Sequence, residues 1–500
     1  MPTRNTKTTQ SVRIAIIGTG FSGLGLAIRL KQAGFKQIYL FEKANDVGGV
    51  WRDNTYPGAA CDVPSHLYSF SFERDIGWKN RFGTAREIHD YLRHCAHKYQ
   101  IREHIQFNTE IATARFDEKN GIWYIQSTEG TTFEAEFLIS AVGQLNRPAY
   151  PNIKGIENFK GKAFHSARWD HDYDLSNKRV AVIGTGASAI QFVPEIAEKV
   201  AHLDIYQRSA PYVIPKPDRI YQPLEKKLFQ KLPLLQRLDR CLQYLYHEVR
   251  LIAFKKTLNE MPLVEYLFQR HIRQVVKDGR LRQRLMPDYP IGCKRILISN
   301  HWYNTLIQKH VEVINTDIQQ ITETGILDKN AQLREVDTII YGTGFKATDF
   351  LAPMQISGLS GQLLSDQWKD GAEAYLGISV SGFPNFYMMY GPNTNLGHNS
   401  IVYMIESQIN YILHSIQVYI DKALLYTDLK KEAALQFNQD IQKRMQDTVW
   451  AQGCTSWYQT ANGKNTNNWP GFTFEYRKLT HHFDLENYHQ ISKTQGSSTS

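Results

Sequence analysis

Short unbroken apolar runs alternate along this chain with stretches whose apolar residues recur every three or four positions. Val12–Ile17 (VRIAII) reads as a strand buried on both faces. A helical pattern follows through Leu24, Ala27, Ile28 and Leu30 and stops near Gly34, and Gln37–Phe41 (QIYLF) reads as the next strand. The same succession returns with Arg179–Ile183 (RVAVI), a helix through Ile190, Val193, Ile196 and Ala197, and a strand at Leu203–Tyr206. Strand–helix–strand with continuous apolar strands predicts parallel sheets, and its repetition predicts two α/β units. Between the units, Trp123–Ser127 and Thr132–Glu136 alternate as a small antiparallel sheet around Glu129-Gly130. Phe137–Val142, Asp337–Gly342 and Pro384–Gly391 are further apolar strands, and Ser400–Ile420 is a long helix behind the loop Gly391–His398. From Gln222 to Asp288 the pattern is helical, and the stripe Leu228, Leu235, Leu238, Leu242, Leu245, Val249 and Ile252 is expected to pack one helix face inward.

The turns after the two leading strands carry chemistry. The first is Gly18-Thr-Gly20-Phe-Ser22-Gly23 and the second Gly184-Thr185-Gly186-Ala187-Ser188-Ala189. Glycines there let backbone approach a pyrophosphate, and the following helix N-terminus favours its charge. Both units therefore read as Rossmann-like dinucleotide sites. Glu42 lies 19 residues after Gly23, and Arg208 lies 19 residues after Ala189. A carboxylate binds free ribose hydroxyls and repels a 2′-phosphate, whereas a guanidinium binds that phosphate. The second unit is therefore expected to take NADPH rather than NADH.

Two other stretches stand out. Gly48-Gly49-Val50-Trp51 continues to Tyr56-Pro57-Gly58 and ends at Asp62, combining close-approach glycines, a flat ring and a carboxylate. Phe159–Asp170 (FKGKAFHSARWD) lies between the two units and reads as a connector. Lys294 and Arg295 follow the helical stretch and make a candidate cationic pair.

The net charge of +9 is concentrated between Gln222 and Asp288, where 14 Lys/Arg face 7 Asp/Glu. No nucleic-acid recognition motif accompanies it, so a solvated surface that attracts an anionic cofactor is the expectation, with membrane-surface contact the lesser reading. The five cysteines are scattered without CxxC, and His66, His89, His94 and His97 lack ligand spacing, so no metal site is expected. The polar residues 1–11 lack the apolar core of a signal peptide, and no run is long enough to span a bilayer; a cytoplasmic protein without an integral membrane segment is expected.

Together these signatures resemble the type I Baeyer–Villiger monooxygenases, a class of flavoprotein monooxygenases. Phe159, Gly161, His165, Trp169 and Asp170 fit that family's pattern FxGxxxHxxxW(P/D), and Gly48 through Asp62 fit its companion GGxWxxxx(F/Y)PGxxxD. The resemblance implies FAD on the first unit, NADPH on the second, and oxygen insertion beside a ketone through a peroxyflavin, giving an ester or lactone with O2 as co-substrate. It implies FAD contacts at Gly18, Gly20, Ser22, Gly23, Glu42, Gly49, Val50, Trp51, Asp62 and Tyr68. It implies NADP contacts at Ala60, Cys61, Asp62, Gly184 to Ala189, Arg208, Ser209, Lys294 and Arg295. Arg295, oriented by Asp62, takes the catalytic role. The alternative is a related flavin monooxygenase acting on nitrogen or sulfur. The implied organisation is an FAD domain of residues 1–148 and 346–500, an NADPH domain of 149–221 and 289–345 with its hinge at 159–170, and a helical insertion of 222–288 roofing the substrate pocket.

Overall fold

The computed structural model describes residues 8–74, 77–255, 261–451, 458–460 and 462–492. Two five-stranded parallel sheets carry it. In the first, Arg13–Ile17 lies between Gln37–Phe41 and Phe137–Ser140, with Ile105–Gln106 and Phe386–Met388 at the edges. In the second, Arg179–Ile183 lies between His202–Tyr206 and Thr338–Tyr341, with Val311–Ile314 and Lys162–His165 at the edges. The inner strands are buried on both faces, which is why their sequences run apolar without alternation.

The sheets match at single bonds. The Glu136 carboxylate accepts Arg13 N–H at 2.8 Å, and the Asp337 carboxylate accepts Arg179 N–H at 2.8 Å. Gly18 has φ +103° and packs on the carbonyl of Ala141; Gly184 has φ +105° and packs on that of Gly342. A Cβ would stand 2.6 Å and 2.5 Å from those oxygens, so side chains are excluded from both turns. Each turn sits where neighbouring strands diverge to opposite sides, the position at which open α/β sheets bind ligands.

The expected antiparallel strands appear as Ile122–Ser127 and Thr132–Ala135, next to Ile111–Asp117. The run 384–391 forms only a short strand, Phe386–Met388, because Tyr390 turns out of the sheet with φ +59°. The long helix spans Ile401–Asp421 and is capped by Ser400, whose Oγ accepts Val402 N–H at 3.3 Å.

The chain crosses between the sheets twice, and the crossings lie side by side. Ala149 N–H donates to Gly344 O and Lys346 N–H to Arg147 O, both at 2.9 Å, with Pro148 opposite Phe345 in antiparallel sense.

In the helical stretch one expectation is overturned. Helix Pro233–Val249 turns its apolar face outward: Leu238, Leu242 and Leu245 are 55%, 58% and 51% exposed, Leu235 and Val249 are exposed too, and so is Leu228 on the preceding helix Pro223–Lys231. Its polar side faces the protein. Asp239 meets His66 Nδ1 at 2.6 Å, Arg240 Nη1 donates to Ser69 O at 3.0 Å, and Glu248 accepts Thr473 N–H at 2.6 Å and Thr473 Oγ–H at 2.8 Å. Unpaired backbone groups on the body of the protein had to be satisfied, and that requirement set the helix's orientation. Ile252 is half-buried.

Cys61 and Cys95 are buried free thiols, and Cys241 is an exposed one. Cys293 is disulfide-bonded, which the scattered spacing did not predict.

Candidate active site

The first glycine turn lies against the loop that starts at Gly48. A Cβ on Gly49 would stand 3.2 Å from Gly20 Cα, so two side-chain-free backbones meet there. Helix Phe21–Gln32 has no side-chain cap on its N-cap Gly20, which leaves first-turn N–H groups for a ligand. Ser22 and Gly23 are buried in that first turn. Glu42 is 4% exposed. Thr19 donates to it from N–H at 3.2 Å and Oγ at 2.6 Å, Ala44 N–H from 3.0 Å, and Arg52 Nη1 lies 3.0 Å away. A ribose here would share that carboxylate with Thr19. Val50 and Trp51 open the short helix Val50–Asp53, and Trp51 Nε1 donates to Tyr68 Oη at 3.3 Å.

The second turn is open. Gly186 and Ala187 are exposed, while Thr185 and Ala189 are buried. Helix Ala189–Ala197 also lacks a side-chain cap at Ser188. Past the strand His202–Tyr206, Lys294 Nζ donates to Ser209 Oγ at 2.9 Å and lies 4.2 Å above the Tyr289 ring. Burial, then the charge of nearby Arg208, lowers the Lys294 pKa. The charge of Arg208 thus reaches Lys294, with Asp288 close enough to offset part of it, and a pair of cations beside Ser209 suits a phosphate dianion.

The loop of the first unit meets the second unit around Gln191. Gln191 Nε2 donates to Ala60 O at 2.9 Å, and its Oε1 accepts Tyr56 Oη–H at 3.0 Å and Ala60 N–H at 3.4 Å. Gly58 packs on Gln191 O, where a Cβ would stand 2.6 Å away. Two residues past Ala60, beyond the buried Cys61, Asp62 Oδ2 receives both Nε (2.9 Å) and Nη2 (2.5 Å) of Arg295. The pair is walled by protein, yet the side chains keep 33% and 28% of their surface accessible, so they line a cleft. Burial pushes the Asp62 carboxyl up, but Arg295 holds it below its ordinary value; Asp62 in turn raises the guanidinium. Tyr390 and Tyr458 flank the arginine, and burial keeps both phenols protonated, Tyr458 with its pKa pushed up to about 12.

The connector residues sit beneath the two crossings. His165 is fully buried at the end of the edge strand Lys162–His165, accepts Ala167 N–H at 3.0 Å on Nδ1, and meets the rings of Tyr150 and Phe345, one from each crossing. Burial lowers its pKa to about 4, so it is neutral. Trp169 packs edge-on to Phe164 and against Phe192, Asp170 pairs with Lys162, and Gly161 fits between Phe159 and Asp337 O. Of these, His165 packs against the crossings, while Trp169, Asp170 and Gly161 pack within the second unit.

Sequence reasoning missed several neighbours. Gln191 lies in a helix turn without a local pattern. His247 and Arg250, from the far end of the outward-facing helix, come near enough to Asp62 for its charge to act on both. Asn395, Asn465 and Asn468 were also missed. They are buried, Tyr390 donates to Asn395 Oδ1 at 2.9 Å, and their side-chain nitrogens find no partner among the described residues. Orphaned amides and a glycine-lined cradle fit a large ligand with polar edges, as FAD is. His202, Asp204 and Glu312 are the one metal-capable cluster among the described residues, and Arg334 already spans Asp204 (3.4 Å) and Glu312 (2.8 Å).

The comparisons agree with this geometry. The model of the family described as flavin-binding monooxygenase-like matches residues 11–356. A Baeyer–Villiger monooxygenase of Pseudomonas aeruginosa is 48% identical over 95% of this chain and 91% of its own length. One of Streptomyces coelicolor is 43% identical over 96% and 92%. Among solved structures, an oxidized steroid monooxygenase bound to NADP superimposes with a TM-score of 0.85 at 29% identity, covering 96% of this chain and 99% of that one. The complex of OTEMO with FAD and NADP gives a TM-score of 0.87 at 26% identity, covering 97% and 100%. With a family model matching residues 11–356 and relatives 48% and 43% identical over nearly the whole chain, the chain belongs to the flavin-binding monooxygenase-like family.

Proposed function

We propose that the protein is an NADPH- and O2-dependent monooxygenase of the Baeyer–Villiger type, inserting one oxygen atom beside a ketone carbonyl to form an ester or lactone. The observation that carries this reading is Arg295, anchored by Asp62 where the loop of the first unit meets the second. Bound FAD supplies the redox chemistry with O2, after reduction by NADPH. Gly18, Gly20, Ser22, Gly23, Gly49, Val50, Trp51, Tyr68 and Glu42 would hold it, with Asn395 and Asn468 offering amides to its polar edge. Gly184 through Ala189 would take the NADPH pyrophosphate, and Arg208, Ser209 and Lys294 its 2′-phosphate; Ala60, Cys61 and Asp62 would be further contacts to it. The division into residues 1–148 with 346–500, 149–221 with 289–345, and the roof 222–288 belongs to the same reading.

Arg295 has five N–H donors, two of them spent on Asp62 and a further one facing Tyr458. The remaining donors can stabilise negative charge that develops on oxygen as the carbonyl is attacked. Asp62 fixes the guanidinium plane and stays ionised. Tyr390 and Tyr458 flank the guanidinium, and bound cofactors would cover the remaining surface of the pair and strengthen its charges.

The test is product analysis. Purified protein supplied with NADPH, O2, a ketone panel and a thioether panel should give esters or lactones one oxygen heavier than the ketones. Sulfoxides without any ester would reject the reading.

A further inference from the structure

The helix pair Pro223–Lys231 and Pro233–Val249 is built the wrong way round for a globular surface. Its carboxylates all have partners: Asp239 and Glu248 turn inward to His66 and Thr473, and Glu225 is neutralised at the surface by Arg219. On the second helix Leu234, Leu238, Leu242, Leu245, Tyr246 and Val249 are exposed, and they fall within about 120° of arc at about 3.6 residues per turn. Leu224, Leu228 and Leu232 extend the apolar surface along the first helix.

Cations flank this surface. Lys227, Lys231 and Arg237 are exposed, and none is ion-paired among the described residues. Arg237 lies close enough to Arg74 for the two charges to repel. Leucines on one side, unpaired Lys and Arg beside them and no free carboxylate are the composition of a helix that lies in a lipid interface. Among the described residues no helix is long and apolar enough to cross a bilayer, so the contact would be peripheral. A second copy of the same face would bring like charges together, which disfavours self-association.

We propose that the outer face of the helix pair 223–249 docks on an anionic lipid surface. This does not depend on the reaction catalysed. The same helix carries His247 and Arg250 at its inner end, so a docked molecule holds its cleft just above the lipid. Apolar ketones dissolved in the bilayer would then be close at hand.

The experiment is sedimentation of the full-length protein with vesicles of phosphatidylcholine alone, and of phosphatidylcholine mixed with phosphatidylglycerol. Binding is expected on the mixed vesicles and not on the neutral ones, weakening as salt is raised. Combining Leu238→Ser, Leu242→Ser and Leu245→Ser should weaken it at least about tenfold, with thermal midpoint and ketone oxygenation unchanged. Lys227→Glu with Lys231→Glu and Arg237→Glu, which leaves the leucines in place, should abolish the preference for anionic lipid. Protein that stays in the supernatant with both vesicles overturns the proposal, as does triple-leucine protein that binds as well as the parent. Light scattering that finds a dimer, made monomeric by the same serine substitutions, would overturn it in favour of a second copy.

Discussion

Arg295 donates both Nε and Nη2 to a single oxygen of Asp62, across 233 residues of sequence. That bond ties the loop of one nucleotide unit to the segment that follows the helical stretch. Arg295→Ala should retain bound FAD and NADPH oxidation but lose ester formation by about 10²–10³-fold, the effect of removing an oxyanion donor. Product yield per NADPH consumed checks it. Asp62→Ala should also destabilise the fold, by roughly 1–3 kcal/mol. That is less than a fully buried pair would cost, because both side chains keep accessible surface.

Arg208 and Lys294 converge beside Ser209, and their effect should depend on the 2′-phosphate. Arg208→Ala should raise KM for NADPH about 10–100-fold while leaving that for NADH within a factor of about two. Lys294→Ala should do the same. Steady-state kinetics with the two nucleotides decide it, and equal effects on both would remove the phosphate contact.

Gln191 fills three hydrogen bonds with Tyr56 and Ala60. Gln191→Leu leaves the Ala60 carbonyl and amide without their partner, at a cost of about 1–3 kcal/mol. The expected result is a lower thermal midpoint and slower flavin reduction by NADPH in stopped flow, with FAD still bound. Gln191→Glu, which keeps the acceptor for Tyr56, should be the milder change.

His165, His247 and His398 are buried, and burial lowers their pKa values to about 4, 4 and 3 from an ordinary 6.5. Unfolded, they take protons near 6.5; folded, they do not. The stability this represents is complete above about pH 6.5, falls as pH drops, and stops falling below the folded values. Each histidine should cost roughly 1 kcal/mol per unit of pH in that window. Asp428, raised to about 7 by burial, acts in the opposite direction and offsets about one of them. Thermal unfolding should therefore move to lower temperature between neutral pH and about pH 5. A midpoint that holds or rises over that range would contradict it.

The two nucleotide units were legible in sequence because continuous apolar strands and glycine turns are local signals. Gly18, Gly184, Glu42 and Arg208 could be placed from spacing alone. The matching carboxylates Glu136 and Asp337, which fasten each leading strand, act across more than 120 residues and leave no such signal. The leucine stripe of the helical stretch was misread because periodicity reports an apolar face and not the direction in which that face points. Hydrogen-bond needs at Ser69 and Thr473 decided the direction, and those partners lie in other parts of the chain. Gln191 and Asn395 escaped notice for the same reason.

The side-by-side crossings at Arg147–Ala149 and Gly344–Lys346 bear on any attempt to recombine such enzymes. Each crossing supplies the hydrogen bonds of the other, and His165 rests under both. A chimera that imports a foreign nicotinamide unit therefore has to be spliced at both places from one parent. Exchanging one junction alone would pair strangers at the crossings and leave their backbone groups unmatched.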